Sequence, residues 1–191
     1  MAQLYYTGRE AAAAALLLIP IFLILILIRF RSLKTTLMYY CFAVYLAGVY
    51  AVVGLPNVSY LRFDLNLNLI PFAPMLSDLR STALNVVLFI PFGFFLFFLW
   101  KPFRRAPNML LAGFMFSLAI ELLQIFTLRA TDVNDLITNT AGAMSGYGLG
   151  MILTKIRPIL PGRNRISDLF LMTGISMTVM FFFQPLIWNI I

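Results

Sequence analysis

Six long apolar runs dominate this chain, and they constrain its fold more than any other feature. They cover residues 11–28, 37–55, 82–100, 108–127, 134–153 and 168–190, numbered here as spans one to six. Each is close to the roughly 20 residues with which an α-helix crosses about 30 Å of hydrocarbon. Charged residues make up 11% of the chain, against about 25% in soluble domains. We therefore predict an all-α integral membrane protein, a polytopic helical bundle with six transmembrane helices in one membrane domain over residues 1–191.

Positive charge alternates between the connections that join the spans. The connections after spans one, three and five are basic, whereas the other two carry nearly balanced charge. The basic residues are Arg29, Arg31 and Lys34, then Lys101, Arg104 and Arg105, then Lys155, Arg157, Arg163 and Arg165. Basic connections stay on the cytoplasmic side, so we predict that both termini face outside. This pattern accounts for the net charge of +7, and no nucleic-acid partner is expected.

The connection between spans two and three contains an alternating segment. Apolar residues occupy positions 61, 63, 65, 67 and 69, and polar residues lie between them. Period-two alternation predicts an extended segment with one apolar face. An isolated strand cannot lie in hydrocarbon with its backbone unpaired. We therefore expect it at the membrane interface or against the outer ends of the helices, and we expect Pro71 and Pro74 to end it.

Span five is the least apolar of the six and is rich in glycine. Gly142, Gly146 and Gly150 are four residues apart and share one helix face. Small residues with this spacing allow two helices to approach closely in lipid. The pattern predicts a packing face.

Glu121 is an acid in the middle of span four. A charge at the centre of a bilayer costs about 3 kcal/mol, so such a residue usually has a partner or a use. Ser117, Glu121 and Gln124 share one face of this span. In the predicted topology this face meets polar residues of spans three and five at similar depth in the outer half of the membrane. We expect Glu121 to face Asn139 or Asp135 rather than lipid.

The converging residues form the candidate ligand-binding site. They are Asn85, Glu121, Gln124, Asp132, Asp135 and Asn139, with Arg129 in the outer turn between spans four and five. Two interpretations stay open at this point. The residues bind the polar head of a ligand, or they form a polar network that orients the helices. Intramembrane ionisable groups more often mark sites than structure, which favours the first.

The same residues carry a resemblance to a known family. The motifs are Asn68–Phe72, Asn85–Gly93, Glu121–Gln124, Asp132–Ile137 and Asn139–Gly142. In this order, over about residues 66–150, the chain resembles the VanZ-like membrane proteins. The resemblance implies a bacterial protein of the cytoplasmic (inner) membrane with a role in antibiotic resistance, specifically low-level resistance to teicoplanin, a glycopeptide with an acyl tail.

Three functions are compatible with these observations. The first is binding, at the outer face, of a lipoglycopeptide or of a lipid-linked cell-wall precursor, with membrane lipids as the other partners and no cofactor or metal ion. Arg129 suits a phosphate or carboxylate through its bidentate fork. The second is an intramembrane enzyme acting on a lipid or isoprenoid substrate. The catalytic candidates would be Glu121, Asp132 and Asp135, as Mg²⁺ ligands or with Glu121 as general acid. The third, a transporter, ranks last because no inverted repeat is evident.

Overall fold

A computed structural model describes residues 2–30, 32–72, 75, 78–127, 129–155 and 162–190. Arg31, Pro74 and Arg157, which entered the sequence predictions, lie outside the described residues. The described residues form six long helices, one in each predicted span. They are α1 (Ala2–Leu25), α2 (Leu33–Val53), α3 (Leu79–Leu99), α4 (Ala106–Gln124), α5 (Val133–Thr154) and α6 (Ser167–Ile190).

Short irregular elements supplement the helices. A π-helical turn, Ile26–Phe30, continues α1, and a 3-10 helix, Lys101–Arg104, joins α3 to α4. Two strands of two residues each, β1 (Leu67–Asn68) and β2 (Thr131–Asp132), pair in parallel. Apart from this pair, the all-α prediction is confirmed for the described residues.

Five stretches of the described helices are long and apolar enough to cross a membrane. They are Gly8–Arg29, Leu33–Val53, Leu79–Leu99, Ala106–Gln124 and Ser167–Pro185. By length and composition, then, the chain is a membrane protein. Helix α5 is as long as the others with 22 residues but does not reach the same hydropathy, because its first half carries Asn and Thr and its second half carries glycine.

The chain divides into two compact units. The terminal unit contains the described residues of Met1–Leu61 and Ser167–Ile191, and the central unit contains those of Arg62–Ile166. The motifs over residues 66–150 therefore all lie in the central unit. The single membrane domain over 1–191 stays a prediction.

In the terminal unit, α1, α2 and α6 pack against one another and are joined by polar contacts. At one end of α6, the Arg29 Nε donates to Asp168 Oδ1 at 2.6 Å, and the Asp168 side chain is fully buried. Towards the other end, the Gln184 Nε2 donates to Glu10 Oε2 at 2.9 Å. The first contact links α6 to the π-helical turn that continues α1, and the second links α6 to α1 itself. Helices α1 and α6 are therefore joined near both ends.

In the central unit, α3 and α5 run parallel with their backbones in close contact. A Cβ added to Gly142 would lie 2.3 Å from the Val86 carbonyl oxygen, and one added to Gly146 would lie 2.0 Å from that of Ile90. One added to Gly150 would lie 2.6 Å from the Phe97 ring. The predicted small-residue packing face is confirmed, and it faces α3. Such backbone-to-backbone approach is what small residues permit between membrane helices.

Helix α4 runs antiparallel to α5 in the same unit. A Cβ on Gly113 would lie 2.8 Å from that of Ala143. Further along α4, the Ser117 hydroxyl accepts a hydrogen bond from the Asn139 side chain at 3.0 Å. The carboxyl end of α4 therefore lies beside the amino ends of α5 and α3, and the candidate residues of the three helices are brought to that end.

The alternating segment lies against this end of the unit. The Arg62 N–H donates to the Phe126 carbonyl at 3.0 Å, and the Asp64 N–H to the Ile125 carbonyl at 2.9 Å. These carbonyls follow the last turn of α4, where helical partners run out. Farther along, the Thr131 N–H donates to the Asn66 carbonyl at 2.9 Å. The segment is extended as predicted. Most of it is not β-strand, because its backbone bonds to the end of helix α4 and not to another strand.

Candidate functional site

Six of the seven predicted site residues gather at the end of the central unit where α4 ends and α3 and α5 begin, and Asn139 lies deeper between α4 and α5. The contacts below connect most of them through backbone groups and through two asparagines, Asn68 and Asn134, that the sequence prediction did not include. We call this arrangement the polar end of the central unit.

Glu121 is buried at the polar end, with 3% of its surface exposed. Its Oε2 accepts a hydrogen bond from the Asp132 backbone N–H at 2.8 Å. The Thr131 hydroxyl donates to the Glu121 backbone carbonyl at 3.0 Å. The prediction that Glu121 avoids lipid is confirmed. The Glu121 carboxyl group interacts electrostatically with Asp135, one of the two residues that it was predicted to face. Its hydrogen bond is to the Asp132 backbone, because the chain turns back after α4 and brings that donor close.

Asp132 is the N-cap of α5 and the centre of the polar end. Its Oδ1 accepts from the Asn134 backbone N–H at 2.8 Å and from the Asn134 Nδ2 at 2.7 Å. Its Oδ2 accepts from the Asn68 Nδ2 at 2.9 Å. An N-cap carboxylate satisfies a donor that the first helical turn leaves unpaired and interacts favourably with the helix dipole. Asp132 thus fixes β1 to the start of α5.

Asn134 fixes the rest of the extended segment. It is buried, and its Nδ2 donates to the Ile70 carbonyl at 2.9 Å while its Oδ1 accepts from the Phe72 N–H at 2.8 Å. Phe72 has a φ of 68°, in the left-handed region that a bulky residue seldom adopts. The asparagine therefore holds a strained residue in place. The sequence feature that could have identified Asn134 is its position two residues after the N-cap Asp132, within the Asp132–Ile137 motif.

Asn85 and Asp135 join α3 to α5 at the polar end. The Asn85 Nδ2 donates to Asp135 Oδ1 at 2.6 Å, and both side chains are half-buried. Arg129 is exposed in the turn between α4 and α5. Its positive charge acts on the carboxyl groups of Glu121 and Asp135. The predicted outer turn thus combines one exposed guanidinium with three carboxyl groups.

Asn139 and Gln124 lie at the buried side of the site, each 4% exposed. The Asn139 Nδ2 donates to the Ser117 hydroxyl, whereas its Oδ1 is buried without a hydrogen-bond partner among the described residues. A buried polar atom without a partner costs about 1–3 kcal/mol. Gln124 is on the α4 face predicted from the sequence, and its backbone carbonyl accepts from the Thr127 hydroxyl at 2.9 Å.

The three carboxyl groups do not form a metal centre. In the part of the chain that the structure describes, no group of three His, Cys, Asp or Glu side chains is arranged to hold a metal ion. Each of the three carboxylates accepts hydrogen bonds from a different partner: Glu121 from the Asp132 backbone, Asp132 from Asn68 and Asn134, and Asp135 from Asn85.

Besides Asp168, sequence reasoning also missed a further buried acid in the terminal unit. Glu10 is 5% exposed and accepts a hydrogen bond from Gln184, whose Oε1 accepts one from the Asn57 Nδ2 at 3.3 Å. The three residues are distant in sequence, and no periodicity connects them. The one hint in the sequence is that Glu10 lies directly before the apolar run of span one.

Comparison with known proteins assigns the family. The family model described as VanZ/LLP1 matches residues 36–154, which include the whole polar end. Protein VanZ of Enterococcus faecium is 40% identical over 88 residues, 44% of this chain and 53% of that protein. The match therefore spans about half the length of this curated relative. No solved structure matches significantly. Because the family model covers more than half of the residues, the chain belongs to the VanZ/LLP1 family.

Proposed function

We propose that this protein is a multi-pass protein of the bacterial cytoplasmic membrane that binds the polar head of an acyl-tailed or lipid-linked ligand at its outer face. The ligand class comprises lipoglycopeptides such as teicoplanin and the lipid-linked headgroups of cell-wall precursors. Binding there would keep the antibiotic from its target and so contribute to teicoplanin resistance. Membership of the VanZ/LLP1 family and the similarity to Protein VanZ support a role in teicoplanin resistance.

The topology in this proposal has six spans and both termini outside. Helix α5 counts as a span because it packs backbone to backbone along α3, which is long and apolar enough to cross a membrane. Parallel α3 and α5 with antiparallel α4 require that the two connections of α4 lie on opposite sides. The connection with Lys101, Arg104 and Arg105 is the basic one, so the positive-inside rule puts the polar end outside.

One observation carries the proposal: the segment of residues 62–72 is polar towards the site and apolar towards its surroundings. Its Asn68 side chain and its Ile70 carbonyl bond to Asp132 and Asn134. Its apolar side chains are exposed, from 47% at Leu67 to 68% at Phe63 and Leu69. A ligand with a polar head and an acyl tail presents the same two chemistries side by side. The segment therefore provides apolar contact next to the polar end.

Arg129 is the residue of the polar end best suited to recognise an anionic head. It is exposed, and its planar guanidinium offers two parallel donors to a phosphate or carboxylate. The carboxyl groups of Glu121 and Asp135 lie near enough to interact with it electrostatically. The half-buried Asp135 and Asp132 are acceptors for hydroxyl and amino groups of the same head.

Susceptibility to teicoplanin tests the proposal directly. A sensitive host expresses the wild type, Arg129→Ala, or the matched control Arg80→Ala, which removes an exposed arginine at the start of α3. We expect the wild type and Arg80→Ala to raise the inhibitory concentration of teicoplanin, and Arg129→Ala to lose the increase at equal protein level. Deacylated teicoplanin should show no increase with any variant. Resistance that is independent of both the acyl tail and Arg129 would refute the proposal.

The runner-up is an intramembrane enzyme that uses Glu121 as a general acid on a lipid substrate. The buried Glu121 Oε2 is engaged by the Asp132 backbone, which makes it a structural acceptor in this arrangement. Loss of function in Glu121→Gln at normal expression would move the enzyme ahead, because glutamine keeps an acceptor but cannot transfer a proton.

A further inference from the structure

The charges of the central unit are segregated between its two ends. The polar end carries five acids and three arginines. They are Asp64, Asp78, Glu121, Asp132 and Asp135, with Arg62, Arg80 and Arg129. At the opposite end, the charged side chains of the described residues are all cations. They are Lys101, Arg104, Arg105, Lys155, Arg163 and Arg165, and the sequence has no Asp or Glu at 79–120 or 136–167. We call this set the basic end.

Two stretches that are distant in sequence are joined to form the basic end. The Lys101 N–H donates to the Arg163 carbonyl at 3.0 Å, and the Arg163 N–H to the Leu99 carbonyl at 2.8 Å. The fully buried Trp100 donates from its indole to the Arg165 carbonyl at 3.0 Å. These bonds hold the cations following α3 beside those preceding α6. The positive surface is thus built by the fold and is not a flexible tail.

One cation of the basic end is held rigidly. The Arg104 Nε donates to the Phe97 carbonyl at 3.2 Å, and its guanidinium lies 6.0 Å from the centre of the Phe97 ring. A Cβ on Gly162 would lie 2.9 Å from the Arg104 Nη2, so the glycine leaves room for the guanidinium in this position. By contrast, Lys101, Arg105 and Arg165 are exposed.

Exposed apolar side chains lie next to the cations. Leu110 and Leu111, in the second turn of α4, are 51% and 61% exposed, and Ile152 and Leu153, in the last turn of α5, are 57% and 44% exposed. Lys155 follows α5 directly. Cations immediately beyond exposed apolar helix turns match the arrangement of a phospholipid, whose phosphate lies just beyond its acyl chains.

We infer that the basic end is a binding site for anionic phospholipids, with the phosphate held by Lys101, Arg105 and Arg165 and the acyl chains against the exposed turns of α4 and α5. Basic clusters directly beyond membrane helices attract anionic lipid, each cation contributing several-fold in affinity. In the proposed topology this lipid lies in the inner leaflet. The inference does not depend on the outer-face ligand, so it can hold even if that proposal fails.

Native mass spectrometry of the purified full chain in detergent tests this inference. The protein is incubated with equal amounts of phosphatidylglycerol and phosphatidylcholine that carry the same acyl chains. We expect the wild type to retain phosphatidylglycerol preferentially, and Lys101→Gln/Arg105→Gln/Arg165→Gln to lose about a hundredfold in that preference. The matched control, Arg62→Gln/Arg80→Gln at the polar end, should retain the preference, as should Arg105→Lys/Arg165→Lys, which keeps both charges.

Ionic competition separates a lipid site from a site for free phosphate. Sodium chloride should weaken retention of phosphatidylglycerol, since it screens the exposed charges. Inorganic phosphate at the same ionic strength should do no more. Equal retention of the two lipids by the wild type, an unchanged preference in the triple glutamine variant, or displacement by phosphate beyond the chloride effect would each overturn the inference. Circular dichroism of the triple variant, compared with the wild type, confirms that any loss occurs in folded protein.

Discussion

The packing of α3 on α5 predicts that alanine substitutions at two nearby glycines of α5 change the stability of the protein in opposite directions. Gly146 and Gly148 are two residues apart on α5, but only Gly146 faces α3. Its added Cβ would lie 2.0 Å from the Ile90 carbonyl oxygen and 2.7 Å from the Phe94 backbone nitrogen, whereas nothing lies within 4 Å of a Cβ on Gly148. Both neighbours of Gly146 are backbone atoms, so no side-chain rotation can relieve the overlap.

The expected change in the free energy of unfolding follows from these distances. Ordinary contact starts at 3.4 Å, so the 2.0 Å separation must grow by about 1.4 Å, and the helices must move apart along the whole contact. Overpacking of this kind costs about 1–3 kcal/mol. At Gly148 the same change only replaces glycine by a better helix former, which gains up to about 1 kcal/mol. We therefore expect the two variants to differ by about 1–4 kcal/mol in the free energy of unfolding.

Reversible unfolding in mixed detergent micelles measures this difference. Fluorescence of the buried Trp100 reports on the central unit, and Trp188→Phe removes the second tryptophan in all variants. Gly146→Ala should unfold at lower SDS fraction than the parent, and Gly148→Ala at an equal or higher fraction. A Gly146→Ala variant as stable as the parent, or a Gly148→Ala variant as unstable as Gly146→Ala, would show that α3 and α5 do not pack as described.

Three further predictions concern buried polar contacts. Glu121→Gln should keep the fold, because glutamine can accept from the Asp132 N–H, whereas Glu121→Ala should lose about 1–3 kcal/mol in the same unfolding assay; equal losses would refute the acceptor role. Arg29→Ala should cost more than Arg29→Ala/Asp168→Ala, since the fully buried Asp168 carboxylate would lose its cation; additive losses would contradict this. Asn134→Ala should accelerate proteolysis between Leu69 and Phe72 by releasing the segment, whereas Asn66→Ala, whose contact is through the backbone, should not; unchanged cleavage of Asn134→Ala would contradict the role of this asparagine.

The sequence predicted the helices and the gathering of polar residues, because both follow from periodicity. Glu121, Asp135 and Asn85 are near one another since helical spacing and a common depth determine their positions. The partner of Glu121 could not be predicted in this way, because it is a backbone N–H in a turn whose path depends on tertiary packing. Asn134 was overlooked for the same reason: its three contacts are with residues 62 or more positions away or with the N-cap.

Helix α5 shows the limit of hydropathy as a predictor. Its glycines lower its hydropathy, yet they are the residues that permit its contact with α3. A measure of apolarity therefore scores low for a helix whose small residues serve its packing against a neighbour. The division into two units was not visible in the sequence either, because α6 and the first two helices are separated by more than a hundred residues.

Cysteine accessibility at the polar end tests the central claim, an outward-facing site that binds an acyl-tailed ligand. In a Cys41→Ser background, the exposed Ala130 beside Arg129 is changed to cysteine, and the exposed Asn164 at the basic end serves as the matched position. Protoplasts are treated with a membrane-impermeant thiol reagent, with and without teicoplanin. The account predicts that Ala130→Cys is labelled, that teicoplanin but not its deacylated form slows the labelling, and that Asn164→Cys is protected throughout. Labelling of Asn164→Cys but not Ala130→Cys, or labelling of Ala130→Cys at a rate that teicoplanin leaves unchanged, would contradict it.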